Sequence, residues 1–108
     1  MIDLPKPIAD YVDANARLDA GGMLKSFATD AVVKDEGGTH QGHAEILTWL
    51  KSATIASEAI FTPDTVRDEE GRCVVSGLTS GNFKGSPLRF TFQFTIENDL
   101  ITALEISL

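Results

Sequence analysis

Apolar residues recur at helical spacing in the first half of the chain and alternate with polar residues in the second half. A first helix is predicted from Pro7, which suits a first helical turn, to Gly21-Gly22, which are expected to end it. One face of that helix carries Ile8, Tyr11, Val12 and Asn15. A second short helix is predicted over 23–28 and a third over 42–53, entered through a polar loop, Thr39-His40-Gln41.

Period-two patterning predicts strands over 60–68, 72–83, 88–96 and 100–108, after a short strand at Val32-Val33. That short strand closes with Asp35 and Glu36 before Gly37-Gly38. The clearest alternation places five apolar side chains on one face: Leu88, Phe90, Phe92, Phe94 and Ile96. Three helices followed by an antiparallel meander predict an α+β fold, with a cone-shaped, curved antiparallel sheet wrapped around three N-terminal helices.

The length of 108 residues predicts a single domain, 1–108, with room for one core. A net charge of −7, from 16 acidic and 9 basic residues, argues against binding to nucleic acid or anionic membranes. Cys73 is the only cysteine, which excludes an intrachain disulfide and a thiolate metal cluster. No signal peptide or membrane span is recognisable, so a cytoplasmic location is expected.

Asp35 is the strongest candidate for chemistry, because a carboxylate at the rim of an apolar strand can act as a base against an apolar ligand. Burial raises the pKa of a carboxyl group and makes it a better proton acceptor. An ordinary turn residue is the alternative. Tyr11 is either a core residue with its hydroxyl at the rim or a ligand contact. Asn15 is either exposed at the end of the stripe or lines a polar spot of a cavity.

His40 and His43 are spaced three apart at the entrance to the third helix, but zinc sites take three or four protein ligands. We therefore predict no metal site. His40 either reaches a cavity mouth beside Asp35 or lies in a surface loop. Trp49 is expected to form a wall against the sheet, and Cys73 to be a small buried residue.

The order of elements resembles the nuclear-transport-factor-2-like superfamily, and within it the SnoaL-like polyketide cyclases and ketosteroid isomerases. The resemblance covers essentially the whole chain and is carried by Tyr11-Val12, the run from Phe27 to Val33, the run from Gln41 to Ile46, and the run from Phe92 to Ile101. It implies a cystatin-like, nuclear-transport-factor-2-like α+β barrel. The fold alone does not fix the function, because it hosts isomerases, cyclases, hydrolases, dehydratases and binding domains.

The isomerase pattern transfers in part to this sequence. Tyr11 falls where the isomerases keep a hydroxyl donor for the developing enolate, and Asp35 falls where they keep the proton-shuttling base. In such sites the surroundings of each group set its pKa. Phe92 occupies the position of a protonated carboxylic acid that serves as a second donor, and phenylalanine cannot donate. Losing an oxyanion donor costs about 3–4 kcal/mol of transition-state stabilisation.

Two functions follow from the resemblance and the residues together. The first is a cofactor-free proton-transfer enzyme (isomerase, cyclase or dehydratase) that acts on a small apolar, carbonyl-type or polycyclic ligand with Asp35 and Tyr11. The second is a non-catalytic binding or dimerisation module. The residues expected to contact the ligand are Asn15, Phe27, His40, Trp49, Phe90 and Phe92. The resemblance also implies a homodimer formed through the outer face of the sheet.

Overall fold

The computed structural model describes residues 2–35 and 37–108. Its helices are α1 (Lys6–Ala16), α2 (Ala20–Leu24) and α3 (Gly42–Trp49), and α3 continues into a π-helical turn, Leu50–Ile55. Glu36, which was predicted to close the first strand together with Asp35, lies outside the described residues. Across the part of the chain that is described, no helix combines the length and apolar character needed to cross a membrane.

The first helix ends at Ala16, well before the glycines that were predicted to stop it. Leu18 has a positive φ of 51°. The Leu18 and Asp19 N–H groups donate to the carbonyls of Asn15 and Ala14, both at 2.9 Å, which is the paired bonding of a Schellman ending. Asp19 then caps α2 by accepting from the Gly22 N–H at 3.0 Å. The prediction that Gly21-Gly22 end the first helix is therefore wrong, because both lie inside α2.

Six strands form one sheet in the order β2-β1-β6-β5-β4-β3. They are β1 (Phe27–Asp35), β2 (Gly38–Gln41), β3 (Ile60–Glu69), β4 (Arg72–Ser80), β5 (Leu88–Glu97) and β6 (Leu100–Ser107). The α+β prediction is confirmed, with two differences in the sheet. The strands β1 and β6 pair in parallel, so the sheet is mixed, and β2 and β3 are its free edges, so it does not close into a barrel.

Two element predictions need local correction. Thr39-His40-Gln41 belong to β2, which pairs antiparallel with β1, and do not form a loop. The second helix occupies Ala20–Leu24 rather than 23–28, because Phe27 already begins β1. The first error arises because the pairing with β1, rather than a local sequence pattern, fixes β2.

The sheet bends where its ladders shift register. One shift lies between Pro63 and Thr65 of β3, opposite Gly77 of β4. A Cβ atom at Gly77 would collide with the main chain of Thr62, so only glycine allows this close approach of the two strands. The inner face of the bent sheet and the helices enclose the core, in which the largest fully buried side chains are Phe27, Phe94, Ile8, Met23, Ile46, Leu50, Ile101 and Leu104.

Candidate functional site

A cavity of about 430 Å³ opens between α1, the π-helical turn and the inner face of the sheet. Its apolar lining is formed mainly by large side chains of β5, β6, α3 and the β4–β5 loop: Leu88, Phe90, Phe92, Ile106, Trp49 and Phe83. Its polar lining consists of Tyr11, Asp35, Ser52, Thr54, Ser57, Thr79 and Lys84. The lining is therefore mixed, with a carboxylate and a phenol on walls that are otherwise apolar or hydroxyl-bearing.

Asp35 points into this cavity because of the strand alternation in β1. Val33 is fully buried on the inner face, so Asp35, two residues further along, projects from the same face. Its backbone pairs with Gly38 of β2 and Ile106 of β6, which fixes it from both sides. The side chain is half-buried, and Oδ2 accepts a hydrogen bond of 3.0 Å from the indole Nε1–H of Trp49.

Trp49 fixes the orientation of the Asp35 carboxylate. The indole is 5% exposed, and the His40 ring stacks on it with centroids 5.9 Å apart and an interplanar angle of 28°. Since a carboxylate oxygen can accept more than one hydrogen bond, the Trp49 bond leaves Asp35 able to take a proton from a ligand. His40 is half-buried against Trp49 and is not itself part of the cavity lining.

Tyr11 of α1 also lines the cavity, and a set of aromatic rings holds it there. Its ring centroid lies 5.8 Å from that of Phe27, 6.0 Å from that of Phe94 and 6.5 Å from that of Phe92. The residue is 3% exposed. Burial raises the pKa of the Tyr11 hydroxyl strongly, and the negative charge of Asp35 raises it further. Tyr11 therefore stays neutral and keeps its proton available for an acceptor in the cavity.

The alkaline titration of Tyr11 tests this environment directly, because Tyr11 is the only tyrosine of the chain. We expect tyrosinate absorbance of the native protein to appear well above the ordinary pKa of 10.0. Above pH 10.0 the unfolded chain loses a proton that the folded chain retains, so the free energy of unfolding falls with rising pH. The slope attributable to Tyr11 is about 1.4 kcal/mol per pH unit, and urea unfolding measures it.

Tyr11→Phe is the matched control for that titration, since it removes the ionisable group and keeps the ring. Its free energy of unfolding should lack the part of the alkaline slope that the wild-type protein owes to Tyr11. A native tyrosinate midpoint near pH 10.0 would contradict the buried position of the hydroxyl.

Phe90 and Phe92 line the cavity from the face of β5 that the alternation predicted to be apolar. Phe92 is 6% exposed and stacks on Phe61 of β3, with ring centroids 4.1 Å apart and an interplanar angle of 15°. The rings form a wall beside the cavity and do not fill it. The position that the resemblance assigned to a second donor therefore presents an apolar surface.

Three predicted ligand contacts do not lie on the cavity wall: His40, which stacks on Trp49, and the two residues Phe27 and Asn15. Phe27 is 2% exposed and packs edge-on against Tyr11, so it supports the phenol from behind. Asn15 is 2% exposed, donates from Nδ2 to the Ala59 carbonyl at 2.9 Å, and accepts from the Phe61 N–H at Oδ1 at 2.7 Å. Asn15 is therefore neither exposed nor part of a polar spot in the cavity, the two alternatives that the sequence left open. Its amide instead holds the start of β3 by these two hydrogen bonds.

The two histidines have different contacts. His43 donates from Nε2 to the Phe27 carbonyl at 2.9 Å, whereas His40 lies on Trp49. Within residues 2–35 and 37–108, no group of three His, Cys, Asp or Glu side chains is placed to hold a metal ion. Cys73 is buried, as predicted, and burial raises the pKa of its thiol.

Several lining residues were missed by the sequence reasoning. The π-helical turn and the residues after it contribute Ser52, Thr54 and Ser57, and the end of β4 and its loop contribute Thr79 and Lys84. The run of hydroxyl residues after the third helix was the available signal. A π-helical turn is itself a feature that is frequent at functional sites.

The geometry defines an α+β fold with a cavity that carries a buried phenol and an anchored carboxylate. The sequence pattern of the SnoaL-like domain matches residues 8–104. The chain therefore belongs to the SnoaL-like domain family of the nuclear-transport-factor-2-like superfamily. No curated protein matches the chain.

Solved structures agree with this assignment. A Sinorhizobium meliloti protein described as a candidate polyketide cyclase is 38% identical, with 97% of this chain and 96% of that chain covered and a TM-score of 0.90. A Catenulispora acidiphila protein with a ketosteroid isomerase-like fold, solved with trimethylamine, is 18% identical over 98% of this chain and 87% of that chain, with a TM-score of 0.83.

A third structure, of a Mycobacterium tuberculosis protein in complex with estradiol-17beta-hemisuccinate, is 14% identical, with coverage of 95% and 91% and a TM-score of 0.80. At that identity the likeness concerns the fold alone, as it does for the Catenulispora protein. Small molecules are thus bound by proteins that share this architecture.

Proposed function

We propose that the chain binds a small, largely apolar molecule with a carbonyl group in its cavity and transfers a proton of that molecule with Asp35 as general base. One observation carries the proposal: the Asp35 carboxylate and the Tyr11 hydroxyl lie on walls of the same cavity of about 430 Å³. The similarity to a candidate polyketide cyclase over nearly the whole chain supports this class of ligand. We propose that residues 1–108 act as one such domain.

The proposed chemistry needs only groups of this chain. Asp35 removes a proton from the carbon next to the ligand carbonyl, and Tyr11 donates a hydrogen bond to the carbonyl oxygen as negative charge builds on it. Asp35 then returns the proton at another carbon, which isomerises the ligand, or the enolate attacks a second carbonyl, which closes a ring. The Trp49 bond keeps Asp35 in one orientation through both steps.

Non-catalytic binding is the second candidate, and the Phe92 wall favours it. A phenylalanine stacked on Phe61 leaves Tyr11 without a second donor at that position. A missing oxyanion donor typically costs about 3–4 kcal/mol of transition-state stabilisation, so any reaction here is slower than in a site with two donors.

The test of binding uses the single tryptophan, whose indole N–H gives one resonance in an NMR spectrum of the ¹⁵N-labelled protein. The probe is 2-naphthol, a planar and stable analogue of the enol of 2-tetralone. We expect the Trp49 indole resonance to shift in a saturable manner, because the indole lines the cavity and bonds Asp35.

The amide of Gly22 in α2, which is not part of the cavity lining, is the internal control and should not move. A Trp49 resonance that stays fixed up to the solubility limit of 2-naphthol would exclude the cavity as a binding site for this class of ligand.

We also propose a homodimer formed through the outer face of the sheet. That face carries the uncharged side chains Val32, Val74, Thr91, Thr95 and Ala103, and it also carries Glu105 at its middle, opposite Gln93, with Arg72 bonded to Gln93. Such a mixed face is compatible with a dimer, because many protein interfaces are about as polar as the rest of the surface. A monomer mass by light scattering at tens of micromolar would rule this dimer out. The buried single thiol is compatible with the cytoplasmic location that we propose.

A further inference from the structure

The His40 side chain lies on the inner side of the sheet, close to the end of β1. His40 pairs with Val33 in the ladder between β1 and β2, and Val33 is fully buried on the inner face. Because side chains directly opposite one another in an antiparallel pair share a face, His40 projects inward from the edge strand. An imidazole is therefore placed beside the strand that carries Asp35, without lining the cavity itself.

The imidazole of His40 leans along β2 toward Asp35. Gly38 is the residue of β2 directly opposite Asp35, and a Cβ atom placed on it would lie 3.5 Å from His40 Nε2. On its way the imidazole stacks on the indole of Trp49, whose Nε1–H donates to Asp35 Oδ2 at 3.0 Å. His40, Trp49 and Asp35 thus form a chain of contacts, of which only the last two members line the cavity.

The orientation of the Asp35 carboxylate depends on the orientation of the indole. The terminal torsion of an aspartate and the ring torsion of a tryptophan are both broad, so neither side chain fixes its own plane. The hydrogen bond from Trp49 selects one plane of the carboxylate, and it forms only while the indole N–H points at Oδ2. The stack with His40, at 5.9 Å between centroids and 28° between planes, favours that orientation of the indole. An aromatic pair of this kind shifts such a population by up to about tenfold.

We propose that His40 is a positioning residue of the proton-transfer site, which stacks on Trp49, holds the indole N–H on Asp35 and so keeps the base aimed into the cavity. This inference rests on the proposed function and adds to it a residue outside the cavity lining. A side chain that merely covers apolar surface at this place could be replaced by leucine. A side chain that orients the indole by stacking can be replaced only by another flat ring.

The first measurement is the exchange of the Trp49 indole N–H with solvent, followed by ¹⁵N NMR in the absence of ligand. His40→Leu should raise the exchange rate by up to about tenfold, because the N–H leaves Oδ2 for a larger part of the time. His40→Phe keeps a flat ring and should stay within about twofold of the wild-type rate. Thr39→Leu is the matched control, since Thr39 is exposed on the other face of the same strand, and should leave the rate unchanged.

The second measurement is the exchange of the α-protons of 2-tetralone for deuterium. His40→Leu should lower kcat by about five- to tenfold and leave KM nearly unchanged, because the cavity wall stays intact while the base is misaligned. His40→Phe should restore kcat to within about twofold of the wild-type value. In a Trp49→Phe background, which lacks the indole N–H, His40→Leu should cause no further loss, since His40 acts through that group.

These results separate positioning from a structural role. His40→Gln, a second variant without an aromatic ring, should behave as His40→Leu does, so the comparison does not depend on the folding of one variant. Indole exchange that is equal in His40→Leu and the wild-type protein would overturn the inference alone. Equal losses of kcat in His40→Leu and His40→Phe, or the same loss in the Trp49→Phe background, would do so as well. A wild-type protein that exchanges no proton of 2-tetralone would overturn the proposed enzymatic function and this inference together.

Discussion

Asp35→Asn is expected to slow the exchange of the α-protons of 2-tetralone for deuterium by about 10²- to 10⁴-fold, the usual contribution of a positioned general base. Asparagine keeps the shape of the side chain, and its Oδ1 can still accept the hydrogen bond from Trp49. The amide cannot take up a proton, so the chemical step is lost while the cavity is preserved. Proton NMR in heavy water follows the exchange with 2-tetralone as substrate.

The matched control is Asp30→Asn. Asp30 is an exposed carboxylate on the same strand, so the variant makes the same change of charge without entering the cavity. Its exchange rate should equal that of the wild-type protein. If Asp35→Asn exchanges as fast as the wild-type protein, Asp35 is not the base. If the exchange rate is unchanged and 2-naphthol still shifts the Trp49 resonance, the cavity binds ligands but Asp35 does not act as a base.

Much of the fold could be predicted from the sequence because hydrophobic periodicity reports which face of an element is buried. The alternation along β5 placed Phe92 and Phe94 on the inner face, where both are buried. Local signals failed where a contact distant in sequence decides the structure. Leu18, which is not a glycine, ends α1 with a positive φ, and β2 owes its conformation to pairing with β1. No local sequence pattern indicates the parallel pairing of β1 with β6.

The residues of the candidate site also fall into those that the sequence could predict and those that depend on the folded structure. Asp35, Tyr11 and Trp49 were predicted on position and resemblance, and all three line the cavity. The role of each as a base, a donor or a ligand contact stays a prediction. Thr79 was not predicted, because threonine is common on strands and no sequence signal distinguishes this one. Thr79 is a lining residue only in the folded structure, and its hydroxyl oxygen is itself buried without a partner.

Asn15→Ala is expected to lower the free energy of unfolding by about 2–4 kcal/mol, because it leaves two main-chain groups at the start of β3 without their partners. The Phe61 N–H loses the acceptor at 2.7 Å, and the Ala59 carbonyl loses the donor at 2.9 Å. Urea unfolding followed by Trp49 fluorescence measures the change. Asn82→Ala removes an exposed amide that donates to Glu58, so it serves as the control and should cost less than about 1 kcal/mol.

This amide also links stability to the site. Asn15 lies one helical turn beyond Tyr11 on α1, and Ala59, whose carbonyl it holds, lines the cavity. The clamp therefore fixes the distance between the phenol and the wall formed by the segment after the π-helical turn. Asn15→Ala should weaken 2-naphthol binding even at temperatures where the variant is fully folded. A variant as stable as Asn82→Ala would show that the two hydrogen bonds contribute nothing to the fold, and unchanged 2-naphthol affinity would show that the clamp does not position the cavity wall.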